Sequence, residues 1–551
     1  MSSLFQKRLE KRKKEFKKLS NVETSRNKRY KMQVQLSKNK REQTIMKKRK
    51  MYQDIDNTIS LNNEELELEK KLSMLPTFVQ QMDDSNRETK MSSILEIIKM
   101  LTVEDYPPIR QIIESGAIPK LINFLQNSDD LEIQFNSAWA LTNLATGNTT
   151  DTTALVKYGI IPVLVDLVES KSEKIVLQAV WALGNIAADS IEHRDIVLKT
   201  RTIKQLSNII QKTKNIELLR KANWTLSTLV QGSDLPQWEL IKDTLPIFYN
   251  FLYTEDIELI KDSCVALGFF TMIKKPETLK IITLKFCKHL VELLEMQNVL
   301  LIHPILRIFG NIVAGSNKET QCVLDSGVLP IMKEFLEKRP RIIRQEICWA
   351  LSNICAGTTE QKGVIIHENF IPILIGVSQN DCLRVRHEAT WALINLCITG
   401  TSEQITYMVL CKVLAAFKEC LKDFYDVELI FKIFIAIKNV LQTGYLEGQK
   451  CRKPNNLYAR DFEEIGGIKI LESFFENKNE KISEIANEIY KQYFSKREEE
   501  EEESLDFFNW SLDEWSKDEK NEPRVIYQGE GRIKILLYGD KEEELPMELE
   551  K

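Results

Sequence analysis

Four tryptophans in this chain stand four residues ahead of an asparagine: Trp139 and Asn143, Trp181 and Asn185, Trp349 and Asn353, Trp391 and Asn395. On a helix, residues four apart lie one above the other, so each pair shares a face. The chemistry of the two side chains is complementary. An indole face attracts a cation and lets a Lys or Arg stem lie along it. An Asn amide offers a donor and an acceptor, the two partners that an extended backbone requires. A row of such pairs is suited to an extended basic peptide, with the rings holding side chains and the amides holding backbone. Acidic residues at the ends of the slots would select Lys or Arg. Asp189, one turn beyond Asn185, and Glu388, three residues before Trp391, are placed for that role.

The elements that must carry these pairs follow from their spacing. Altered copies at Trp224–Thr228, Val265–Phe269 and Arg307–Asn311 fill the gap, and successive first positions are 42, 43, 41, 42, 42 and 42 apart. That period is the signature of an all-α solenoid of armadillo type, in which each repeat buries its apolar face on its neighbours. Within Trp139–Leu144, a step of about 100° per residue gathers Ala140, Leu141 and Leu144 on one side and sets Trp139 and Asn143 roughly 130° away. An Asn enters an apolar core only with hydrogen-bond partners, so the array is expected to line a surface. A second phrase keeps the same beat: Gly116-Ala-Ile-Pro119, Gly159-Ile-Ile-Pro162 and Gly327-Val-Leu-Pro330, with relaxed copies ending at Pro246 and Pro372. Gly supplies the positive φ that ends one helix, and Pro suits the opening turn of the next. Each unit is then a short helix, a corner, a second helix, a polar turn and a long third helix carrying Trp and Asn. About ten units fit between residues 75 and 495, expected to wind into a right-handed superhelix with the Trp/Asn helices on its concave side.

Composition supports a long core, with 43% hydrophobic residues in 551, and repeats grow in one dimension without needing separate globular domains. Charge is unevenly placed. Residues 1–50 hold 19 Lys/Arg against 4 Asp/Glu, a net of +15, so the remainder carries −19 to reach the chain's −4. A basic arm on an acidic body can dock on that body or on another acidic partner. The ten cysteines form no Cys-x-x-Cys pair and the five histidines no ligand cluster, which reads as a reduced intracellular chain with no metal and no cofactor. Cys348 and Cys355, on or beside a repeat helix, read as small buried thiols. No run is read as approaching the roughly 18 apolar residues of a membrane span.

The organisation along the chain is read as a basic arm (1–51), a polar linker (52–71), the repeat domain (72–495) and an acidic tail (496–551). The tail opens with the acidic run Glu498–Glu503, continues through Phe507, Phe508, Trp510 and Trp515, and contains what looks like two short strands around Gly529 and Gly531.

The segments Trp139-Ala-Leu-Thr-Asn-Leu-Ala-Thr-Gly147, Trp181-Ala-Leu-Gly-Asn-Ile-Ala-Ala-Asp189 and Trp349-Ala-Leu-Ser-Asn-Ile-Cys-Ala-Gly357 resemble importin α, also called karyopherin α. The resemblance joins armadillo units, the Trp/Asn array and a basic arm in one order, and runs from the arm to about residue 495. It implies a nuclear import adaptor for cargo bearing Lys/Arg-rich localisation signals. By resemblance, a major site comprises Trp139, Asn143, Gly147, Thr152, Gln178, Trp181, Asn185, Asp189 and Trp224. A minor site comprises Arg307, Asn311, Trp349, Asn353, Glu388, Trp391 and Asn395, with Glu346 matching the ion-pair partner of Arg307. Phe16-Lys-Lys, Glu23–Arg29 and Gln35–Arg41 resemble the importin-β-binding segment, and Lys47, Lys48, Arg49 and Lys50 resemble an internal signal that occupies the groove when importin β is absent. The implied partners are importin β, signal-bearing cargo, an export receptor with Ran-GTP and nuclear pore proteins, with neither direct nucleic-acid contact nor a membrane span. The implied location is cytoplasm and nucleus, with shuttling through the pore. Three positions depart from the pattern: Thr228 where the family usually has Asn, and Val265 and Phe269 where it has Trp and Tyr. These trim the stretch between the two sites and put bipartite signals in question.

Other classes fit less well. A catenin-like scaffold needs neither the Trp/Asn register nor the arm. A nucleic-acid-binding solenoid is opposed by the net-negative body. An enzyme would need a nucleophile with its base, a phosphate loop or a metal cluster, and none is legible.

Overall fold

Left-handed corners divide the chain into its helices. Gly116, Gly159, Gly327 and Gly466 take φ of +84°, +76°, +82° and +79° at these corners, where a side chain would be strained. At the relaxed corner before Pro372 the same conformation falls to Asn369, at φ +55°, the non-glycine residue best suited to it. Pro246 and Pro330 sit in the opening turns of Leu245–Phe251 and Leu329–Lys338. There the missing N–H costs no helical hydrogen bond.

A computed structural model describes residues 64–495 except 104–106, 233, 274, 424–425 and 451–455, together with Arg524–Tyr527 and Ile533–Leu536. The basic arm with Lys47, Lys48, Arg49 and Lys50, the acidic run Glu498–Glu503 and the aromatic segment after it lie outside the described residues.

The long third helices are α1 Arg87–Leu101, α2 Leu131–Leu144, α3 Glu173–Asp189, α4 Ile216–Leu229 and α5 Ile257–Phe270. They continue as α6 Val299–Val313, α7 Arg341–Cys355, α8 Leu383–Thr399, α9 Val427–Lys450 and α10 Glu480–Tyr493. Residues before and after the Leu279–Lys280 junction belong to different compact units. In the first, α1 through α5 pack each on the next; in the second, α6 through α10 do the same. The polar turns before these helices supply caps. Asp130, Asn215, Asp256 and Asn298 each accept from the first backbone amides of α2, α4, α5 and α6. The core lies on the side the helical wheel assigns: Ala140, Leu141 and Leu144 are fully buried, as are Ala182, Leu183 and Ile186.

Two features differ from the sequence reading. A helix at Glu64–Ser73 begins inside the stretch read as linker; its sequence opens on Glu64, Glu65 and Glu67 and closes on Lys70 and Lys71, which suits a helix dipole. The helix α9 is long and apolar enough over Val427–Gln449 to cross a membrane by length and composition, contrary to the expectation that no run approaches a span. Its apolar side chains have a repeat core to enter: Leu429, Ile433, Phe434, Ala436, Ile437, Val440 and Leu441 are buried, and the helix packs on α8 and α10. Outside the repeats, β1 Arg524–Tyr527 pairs antiparallel with β2 Ile533–Leu536, Tyr527 opposite Ile533, as the two expected strands.

Candidate functional site

The first set of site residues lies in the unit before residue 280. Trp139 and Asn143 are on α2; Gln178, Trp181, Asn185 and Asp189 on α3; Trp224 and Thr228 on α4. Trp139, Trp181 and Trp224 are half-buried, each with part of its ring open. The Trp224 ring lies over Gly184, where an added Cβ would come within 2.4 Å of its Cζ3. Gly184, just before Asn185, is therefore the seat of the Trp224 indole, and only glycine leaves room there.

The ladder asparagines stitch one repeat to the next. Nδ2 of Asn185 donates to the Thr142 carbonyl at 3.2 Å, while the Thr142 hydroxyl is 3.1 Å from the Gln178 carbonyl. Nδ2 of Asn143 is enclosed and makes no hydrogen bond among the described residues, and the same holds for Oε1 of Gln178. An enclosed amide of this kind gains from any partner that reaches it. Thr228 offers no such amide: its hydroxyl donates to the Trp224 carbonyl at 2.9 Å, one turn back on its own helix.

Asp189 is not a solvated charge at the end of a slot. Its side chain is buried, with Oδ2 3.1 Å from His193 Nδ1 and Oδ1 accepting from the Thr149 hydroxyl at 3.2 Å. Thr153 Oγ1 lies 3.3 Å from the other His193 ring nitrogen. Thr152 is fully buried, its hydroxyl donating to the Asn148 carbonyl at 3.2 Å. Gly147 is pressed against Asp151, which leaves 2.8 Å between an added Cβ and that of Asp151. Asp151 closes a capping box with Asn148 on the helix Thr149–Lys157. Gly147 and Thr152 thus shape the wall beside Asp189.

One residue that the sequence reading passed over stands among these rings. Lys221 on α4 places its Nζ 4.0 Å from the Trp181 ring centroid and 5.3 Å from that of Trp224. Its position was readable. It precedes Trp224 by three, as Glu388 precedes Trp391.

The second set lies in the unit after residue 280, with Arg307 and Asn311 on α6, Glu346, Trp349 and Asn353 on α7, and Glu388, Trp391 and Asn395 on α8. It repeats the stitch of the first: Nδ2 of Asn395 donates to the Ser352 carbonyl at 2.8 Å, and Nδ2 of Asn353 is enclosed without a hydrogen bond among the described residues. Arg307 and Glu346 form a buried bidentate pair, as the matching positions imply. Trp391 is half-buried beside His387. Trp349 is deeper than expected, 7% exposed, because its ring lies over Gly310, where a Cβ would meet Cζ3 at 2.2 Å. Cys348 and Cys355 are buried thiols, the latter pushed up to about 12 by desolvation. Both are poor nucleophiles at neutral pH.

Stacked three-helix repeats with Trp and Asn in one register on the third helix define an armadillo-repeat solenoid. The armadillo/beta-catenin-like repeat family matches residues 105–146, 151–188, 316–356 and 358–398, and an atypical armadillo repeat matches 456–507. The importin beta binding domain family matches residues 12–95. The chain is 35% identical over 438 residues to importin subunit alpha-1b of Oryza sativa subsp. japonica, covering 78% of this chain and 81% of that one. It is 33% identical over 486 residues to importin subunit alpha-3 of Arabidopsis thaliana, covering 85% and 89%. A crystal structure of an engineered protein superposes with a TM-score of 0.64 at 21% identity, covering 76% of this chain and 98% of that one, a likeness of fold. The chain belongs to the importin α family. It combines an importin-β-binding domain with armadillo repeats, the make-up of a nuclear import adaptor, and it is not an enzyme.

Proposed function

We propose that the Trp/Asn face takes the Lys/Arg-rich localisation signals of cargo proteins, while the arm hands the loaded adaptor to importin β. The observation that carries this reading is the set of half-open indoles Trp139, Trp181, Trp224 and Trp391, each on the third helix of its repeat and clear of the aliphatic core. A lysine ammonium already rests on the Trp181 ring, so the slot chemistry suits a cation. Trp139, Asn143, Trp181, Asn185, Asp189 and Trp224 form the major site, with Gly147, Thr152 and Gln178 shaping it. Arg307, Asn311, Trp349, Asn353, Glu388, Trp391 and Asn395 form the minor one. Lys47, Lys48, Arg49 and Lys50 act as an internal signal that covers the major site until importin β draws the arm away. The chain shuttles between cytoplasm and nucleus, returning with an export receptor and Ran-GTP and touching nuclear pore proteins on the way.

Fluorescence anisotropy with a labelled Lys/Arg-rich peptide, its Glu/Asp counterpart and duplex DNA tests the reading. Binding of the basic peptide alone, lost in Trp181→Ala, supports it. Equal binding of the acidic peptide, or preference for DNA, overturns it.

A further inference from the structure

Lys221 stands three residues before Trp224, in the register that Asn136, Gln178, Glu346 and Glu388 hold before Trp139, Trp181, Trp349 and Trp391. Every other residue in that register is neutral or acidic. The Lys221 ammonium lies 4.0 Å and 5.3 Å from the ring centroids of Trp181 and Trp224, within cation–π range of both. It reaches Trp181 of the preceding repeat from its own helix, so it occupies the cleft between two successive indoles. The seat of Trp224 on Gly184 holds one wall of that cleft in place. In the next repeat Asp262 holds the same register before Val265, its buried carboxylate paired with the adjacent Lys261 at 3.0 Å.

We propose that Lys221 is the resident occupant of the Trp181–Trp224 slot and so determines which peptides the groove accepts. The inference rests on the peptide-binding reading above. A ligand Lys or Arg entering this slot would either meet a like charge or expel Lys221 into water, forfeiting its contact with two rings. The resident side chain competes intramolecularly, at the high effective concentration of a short tether. A neutral or acidic ligand residue meets no such obstacle, and an acidic one gains a cation to face. The groove should therefore prefer a basic signal interrupted at one defined position over an unbroken run.

The experiment compares the full-length chain with Lys221→Gln and, as a charge-matched control, Lys204→Gln on the exposed side of Thr202–Lys212. Labelled peptides with six consecutive lysines, and the set in which each lysine in turn becomes Glu, are titrated by anisotropy. Lys221→Gln is expected to bind the unbroken peptide about tenfold tighter. Wild type is expected to tolerate Glu at one position within about twofold, whereas Lys221→Gln loses about tenfold there. Without peptide, ε-13C-lysine spectra should show one ε-methylene shifted upfield by the rings and missing in Lys221→Gln. Identical scans for wild type and Lys221→Gln, an equal gain in Lys204→Gln, or no upfield signal each overturn the proposal. A wild type that binds the basic peptides no better than an acidic one overturns the groove reading itself, and this inference with it.

Discussion

Arg307 and Glu346 face each other across adjacent repeats, Nε 3.1 Å from Oε2 and Nη2 3.0 Å from Oε1, with both side chains at least nine-tenths buried. Arg307 stands where the following repeat carries Trp349. A guanidinium can replace an indole there only because a carboxylate on the next helix neutralises it. Glu346→Ala should therefore destabilise the chain by about 3–5 kcal/mol, the usual result of stranding one buried partner. Arg307→Met/Glu346→Leu together should recover much of that loss. Chemical denaturation followed by circular dichroism checks both, and a double variant as unstable as the single one would refute the pairing as the cause.

The seats beneath the indoles give a second test. Gly310→Ala puts a methyl into the Trp349 ring and Gly184→Ala puts one into Trp224. Each should cost about 1–3 kcal/mol, the range for overpacking, and shift the indole outward. A red shift in tryptophan emission together with a lower melting temperature is the expected signature. Unchanged emission in a folded Gly184→Ala chain would contradict the seat.

Asp189 is tied to His193 and Thr149, so its charge is presented from a fixed position. Asp189→Asn keeps the shape and removes the charge; it should weaken a Lys-rich peptide about tenfold, roughly 1.4 kcal/mol. Asp189→Lys should cost roughly 2–4 kcal/mol, as for a broken desolvated charge contact. Far-UV circular dichroism should stay helical in both, and an undiminished affinity removes Asp189 from the site.

The arm carries +15 against −19 on the rest of the chain. A tethered signal competes at an effective concentration on the order of mM. Deleting residues 1–60 should strengthen peptide binding in the absence of importin β. Changing Lys47, Lys48, Arg49 and Lys50 to Ala should give most of the same gain. The gain should shrink as salt rises, and linkage requires that cargo tighten importin β binding in return. Equal affinities for all three chains at low salt would leave the arm as a handle for importin β alone.

The repeat period, the corners and the buried face of each third helix were legible because they are local. Gly with Pro marks a corner, and a helical wheel sorts Ala140, Leu141 and Leu144 from Trp139 and Asn143. Depth was not legible. Trp349 sinks because Gly310 lies 39 residues earlier on another helix, a relation that no single-helix wheel contains. Asp189 was read as a slot end facing a ligand cation, and its burial was not foreseen although His193 stands one turn beyond it, within reach of the same wheel. Lys221 was missed although Gln178, in the same register before Trp181, was read as part of the site, because a lysine suits neither a slot for a cation nor an amide clamp. The helix at Glu64–Ser73 was hidden by its charge, which reads as linker until the signs are placed along the helix dipole.

The hydrogen bonds from Asn185 to the Thr142 carbonyl and from Asn395 to the Ser352 carbonyl fasten side chain to backbone, repeat to repeat. Under tension such a stack yields in instalments. Each repeat is held chiefly by its neighbours, so a chain pulled from one end or threaded into a narrow pore gives way one unit at a time. A released unit of about 42 residues yields up to roughly 140 Å of slack at the extended-chain limit. Force–extension traces of this chain should therefore be a staircase, and the tall steps should fall where an asparagine pins the helix before it.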